Sequence, residues 1–76
     1  MNKARRAELN RIINAISDLR NDLELVHDEE EEAMENMPES LQESDRYSAM
    51  EDAVDGMDSA LDALDDAVDY LESAMS

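Results

Sequence analysis

The sequence contains no cysteine, no tryptophan and no phenylalanine, and only one glycine and one proline among its 76 residues. Without cysteine, neither a disulfide framework nor a thiolate metal site can form. So little glycine and proline leaves almost no vocabulary for tight turns, which argues against a sheet built from hairpins. Long apolar runs are missing too: none approaches the ~18 residues of a membrane span. No apolar segment follows the basic N-terminus as it would in a secretory leader, so a cytoplasmic protein is expected. Bases are scarce, six against 22 acids, giving a formal net charge of -16 and a pI of about 4.1. At this length the chain forms one domain at most, and a single small core supplies only ~3–5 kcal/mol unaided.

High charge with few aromatics is also the composition of disordered chains. Periodicity argues otherwise. Leu9, Ile12, Ile16, Leu19, Leu23, Val26, Glu30, Ala33 and Met37 follow at alternating steps of three and four, with Glu30 the one polar member. Tyr47, Met50, Val54, Met57, Leu61, Leu64, Val68, Leu71 and Met75 repeat the steps with no polar member. Such spacing lines one face of a helix, and a strict seven-residue period implies left-handed supercoiling against another helix. Ala53, Ala60, Ala67 and Ala74 recur beside the second stripe, and Ile13 and Ala15 widen the first. Stripes three residues wide are those of a bundle.

Between the two runs, Pro38 disfavours helix at the residue before it, and Ser40-x-x-Glu43 reads as a capping box. The predicted fold is all-α: residues 1–76 form one antiparallel coiled-coil hairpin, with a helix over about 3–35, a turn over about 36–40 and a helix over about 41–75. One hairpin cannot cover both stripes, so a homodimer forming a four-helix bundle is expected. Leu9, Ile12, Ile16, Leu19, Leu23, Val26, Val54, Met57, Leu61, Leu64, Val68 and Leu71 are its expected core and dimer stripe.

Charge is unevenly placed. Residues 1–20 carry Lys3, Arg5, Arg6, Arg11 and Arg20 against Glu8 and Asp18, whereas residues 21–76 carry 20 acids against Arg46 alone. An antiparallel hairpin is expected to lay the basic N-terminus near Asp66, Asp69 and Glu72, where local pairing would offset its unfavourable position at the helix dipole. Direct nucleic-acid binding is not expected from so acidic a chain. Glu30 calls for a partner, for which Arg46 is the candidate, or else stays wet near the loop.

No catalytic constellation is present: there is no cysteine nucleophile, no glycine-rich phosphate loop and a single histidine. Glu24-x-x-His27, doubled in a dimer, matches the motif of carboxylate-bridged di-metal bundles. Both residues fall outward on the apolar register, however, and the second helix offers no inward carboxylate. No metal and no cofactor is therefore expected. The acids themselves are the remaining signal. Asp28, Glu29, Glu31 and Glu32 belong to an unbroken acidic run, and Glu51, Asp55, Asp58, Asp62, Asp65 and Asp69 lie in rows beside the second stripe. Solubility needs a net charge of only ~2–8 in a small domain, and self-repulsion costs stability beyond that.

The connection Asn36-Met37-Pro38-Glu39-Ser40-Leu41-Gln42 and the Ala/Asp/Leu heptads after it resemble small acidic two-helix proteins of unassigned function from bacteria, phages and mobile elements. The resemblance covers roughly residues 30–76 and implies a hairpin of mobile-element origin; it transfers no site residue. Small acidic helical phage proteins include DNA-mimic inhibitors of restriction or CRISPR nucleases. The expected function is accordingly non-enzymatic: an acidic module that inhibits a basic, nucleic-acid-binding protein such as a defence nuclease. The alternatives are an assembly bundle whose charge serves solubility, and the di-metal bundle.

Overall fold

A computed structural model describes all residues from Met1 to Ser76. Two long helices, α1 (Lys3–Glu35) and α2 (Asp45–Met75), are joined by a single 3₁₀ turn at Glu39–Leu41, and the molecule measures 59 × 15 × 13 Å. α1 starts where the Asn2 side chain accepts the Arg5 amide at 2.8 Å. It ends one residue before Asn36, and Pro38, in extended backbone with ψ 141°, carries the chain away from the helix. The reversal uses no positive φ at all, which is why it needs no glycine.

The second helix begins at Asp45, four residues later than the capping-box reading placed it. Ser44, not Ser40, is the cap: its hydroxyl accepts the Tyr47 amide at 3.3 Å and donates to the Leu41 carbonyl at 2.6 Å. Two physical reasons favour the later start. Helix over 41–44 would add no residue to the stripe that opens at Tyr47, since Leu41 remains exposed. The later start also puts Asp45 in the first turn, where its charge complements the helix dipole.

On α2 the expected stripe packs as read: Val54 and Leu61 are buried, and Tyr47, Met50, Met57, Leu64, Val68, Leu71 and Met75 are half-buried. On α1 the seam is different. Leu9, Ile16, Leu23, Glu30 and Met37 face the partner helix, but the positions between them are filled by Ile13, Arg20, His27 and Met34. Leu19 is 64% exposed, Val26 53%, and Ala33 is exposed as well. The flanking alanines Ala53, Ala60 and Ala74 lie open, with only Ala67 half-buried, so that flank does not pack inside the hairpin. The whole chain buries three apolar residues, Ile13, Val54 and Leu61, and one polar one, His27.

The cap assignment is testable by thermal melts followed by circular dichroism. Ser44→Ala should cost about 1 kcal/mol, the usual value for a lost N-cap. Ser40→Ala, at an exposed turn position, should change stability by less than about 0.5 kcal/mol.

Candidate functional site

Charged side chains occupy the seam because of where α1 turns them. Arg20 follows Ile13 by seven residues and His27 follows Arg20 by seven, so all three lie on one line along the helix facing α2. On α2, Asp65 and Asp58 stand seven residues apart in the opposite chain direction. The two rows meet as ion pairs. Arg20 Nε donates to Asp65 Oδ1 at 3.0 Å and its Nη2 to Oδ2 at 3.4 Å, while Nη1 donates to Glu24 one turn on. His27 Nε2 lies 2.7 Å from Asp58 Oδ1.

His27 is only 8% exposed and is surrounded by carboxylates. Its Nδ1 lies 3.0 Å from Asp28 Oδ1 and 3.6 Å from Glu31 Oε2. Asp58 approaches Nε2 out of line with the ring N–H, leaving that buried nitrogen without an aligned hydrogen bond. A neutral ring would turn a lone pair toward an anion on one side or the other. The imidazolium suits both sides. Hydrogen bonding to Asp28, with the charges of Asp58 and Glu31, accordingly raises the His27 pKa above its ordinary value, against the opposing effect of desolvation. Similarly, Asp65 raises the pKa of Arg20, and Arg11 holds Glu8 low by a hydrogen bond within α1.

The ion pairs also fix the register. Extending it from Arg20–Asp65 toward the termini sets Leu9 beside Ser76, so Lys3, Arg5 and Arg6 project past the end of α2. The expected pairing of the basic N-terminus with Asp66, Asp69 and Glu72 does not occur. Lys3, Arg5 and Arg6 make no ion pair, Arg11 bonds Glu8 on its own helix, and only Arg20 and His27 cross to α2. The later start of α2 causes this, because it shifts the whole second helix toward the loop. Glu30 is half-buried and forms no ion pair with the exposed Arg46, leaving it wet at the loop end.

The acids named from the sequence divide into two groups. Asp28, Glu31, Asp58 and Asp65 are drawn into the seam network. Glu29, Glu32, Glu51, Asp55, Asp62 and Asp69 are exposed and without an ion-pair partner. The outward placement of His27 is thus corrected: Arg20, read only as one of the basic residues of the first quarter, and His27, weighed only as a metal ligand, are the residues that organise the site. Their signal was the seven-residue spacing that matches Asp65 and Asp58. Glu24 lies outward as read: it is exposed and engages Arg20 instead of sharing an inward site with His27. Another grouping has metal-like spacing, His27 with Asp28 and Glu31, whose ligand atoms lie within 4.8 Å of one another. A proton on the ring satisfies the same carboxylates. The surface has no pocket, and no helix is long and apolar enough to cross a membrane. Compared with protein-family models, curated proteins and solved structures, the chain matches none.

Because the folded-state pKa of His27 is raised, its stabilising contribution is complete below the unfolded value and is lost as pH rises through the folded value. The range from about pH 6 to pH 9 spans the rise from the ordinary histidine value, and every other titratable group is common to the native protein and a variant that lacks the imidazole. Over that range the melting temperature should fall more in the native protein than in His27→Gln. Parallel melting curves for the two proteins would show that this histidine has no such role.

Proposed function

We propose that the protein acts without catalysis, by presenting fixed carboxylates to the basic, nucleic-acid-binding surface of another protein. The observation that carries this reading is the surplus of unmatched acid. Only Glu8, Glu24, Asp28, Glu31, Asp58 and Asp65 enter ion pairs, which leaves 16 of the 22 acids without one. A net charge of -16 along 59 Å is one negative charge per ~3.7 Å. That is close to the 3.4 Å spacing along a single DNA strand and about half the density of the duplex. Asp55, Asp62 and Asp69 repeat every two helical turns, ~10.5 Å apart, on a helix stiffened by the seam beneath them. A basic groove would meet ordered negative charge without the ordering cost of a flexible acidic tail. The long-range field would also speed the encounter.

Host proteins retained by the immobilised hairpin should elute on raising salt from about 50 to 200 mM, with an affinity loss on the order of tenfold or more, and DNA should compete for them. Charge reversal of Asp55, Asp62 and Asp69 to lysine should abolish retention while circular dichroism still reports full helicity. Those three residues lie outside the seam, so the hairpin does not depend on them. Retention insensitive to salt and DNA, or unchanged in the triple variant, would refute the mimicry reading. A second reading, an assembly bundle whose charge keeps it soluble, is favoured by the exposed Leu19 and Val26.

A further inference from the structure

The ion pairs reveal which sides of the two helices share a face. Glu24 and Glu31, which engage the seam residues Arg20 and His27, lie to one side of the α1 seam. Asp58 and Asp65, which engage the same two residues, lie to one side of the α2 seam; these flanks therefore share one face of the hairpin. The opposite flanks must then share the other face. On α1 that flank is Ile12, Leu19, Val26 and Ala33, one residue per two turns. On α2 it is the alanine row from Ala53 to Ala74, bordered by Ala49, Gly56, Ala63 and Tyr70. Tyr70 is 75% exposed, and a methyl group built on Gly56 would meet nothing within 4 Å. One long face is therefore apolar and small along half its width, half-buried at Ile12 and Ala67 and exposed at the other positions, with Glu8, Asp22 and Glu29 along its outer border on α1.

Three observations indicate what covers it. The first is area. The chain exposes 5578 Å², whereas a compact monomer of 8.6 kDa exposes about 4,700 Å². The difference, roughly 900 Å², is about the ~800 Å² per partner of a stable interface. The second is the roll of α1. A small rotation would bury Leu19 and Val26 against α2, and each such side chain is worth about 1.5–3 kcal/mol when fully buried. The helix instead turns Arg20 and His27 inward, although partly exposed ion pairs stabilise weakly. That choice is favourable only if Leu19 and Val26 are covered from outside the hairpin.

The third observation is the charge along the long axis, which says what the cover is. Nine acids and no Lys or Arg lie between Asp28 and Asp45 at the loop end, while Lys3, Arg5 and Arg6 project unpaired from the other end. We infer that the open face docks a second copy of the chain, antiparallel to the first, so that the basic overhang of each protomer lies along the acidic loop end of its partner. A parallel pairing would set nine acids against nine. The small residues of α2 let the partner's backbone approach closely, and Leu19 and Val26 of each protomer fill the centre. The carboxylates of Asp55, Asp62 and Asp69 stay outside this contact, so dimerisation and recognition of a basic partner can fail independently.

Sedimentation equilibrium of the native protein should give about 17 kDa, twice the 8.6 kDa chain. The double variant Leu19→Lys/Val26→Lys should weaken self-association on the order of 100-fold. Leu25→Lys, which adds the same charge on the side of α1 away from α2, should leave it unchanged. Orientation is read separately by single cysteines, since the chain has none of its own. Leu19→Cys mixed with Val26→Cys should form an intermolecular disulfide between the two variants on oxidation, because the arrangement centres between those positions. Ala33→Cys should not, because the antiparallel arrangement sets the two copies more than about 30 Å apart. A native monomer at up to millimolar concentration, or a dimer undisturbed by the double variant, would overturn the assigned face. Efficient self-linking of Ala33→Cys would overturn the antiparallel arrangement.

Discussion

Two ion pairs across the hairpin, Arg20 with Asp65 and His27 with Asp58, set both the level and the roll of one helix against the other. Apolar stripes alone are poor at either task. Burial is non-directional, so apolar side chains by themselves prescribe no particular partner atom across the seam. A guanidinium that grips both oxygens of one carboxylate has a direction and a distance. Once Arg20 meets Asp65, the seven-residue repeat on both helices brings His27 to Asp58, and the rest of the seam follows. The basic overhang at the N-terminus, the wet Glu30 and the exposed Leu19 and Val26 are all consequences of that register.

The same constraint divides the molecule into two unlike faces. One carries the imidazole, the guanidinium and their carboxylates, and leads around α2 to the free acids Asp55, Asp62 and Asp69. The other carries alanines, one glycine and the aliphatic side chains that the roll of α1 left outside. A hairpin with three buried apolar residues has little stability of its own, and its unmatched acids repel one another. A partner on the apolar face would supply burial that the hairpin lacks. A basic partner on the acidic face would relieve repulsion. The unlike faces thus give the two proposed interactions separate places to occur.

The two helices differ in how legible they were. On α2 the stripe from Tyr47 to Met75 has no polar competitor, so the apolar pattern and the packed face coincide. On α1 two heptad registers share Leu9, Ile16, Leu23, Glu30 and Met37. One completes the stripe with Ile12, Leu19, Val26 and Ala33, the other with Ile13, Arg20, His27 and Met34. Ranking by apolar character chooses the first, and the protein adopts the second. The deciding residues are on the other helix, where Asp58 and Asp65 flank the α2 stripe at matching levels. The start of α2 escaped a local reading for a similar reason: Ser40 and Ser44 are both plausible caps, and only packing of the turn distinguishes them.

By itself the sequence determined two helices, their antiparallel connection around Pro38, the inward face of α2 and the surplus of acid, because each follows from local periodicity, turn chemistry or counting. Tertiary structure decided the roll of α1, the register of the hairpin and the inward placement of His27. Those depend on which charges meet across a gap, and residues 45 positions apart in the chain, such as Arg20 and Asp65, carry no local mark of their pairing.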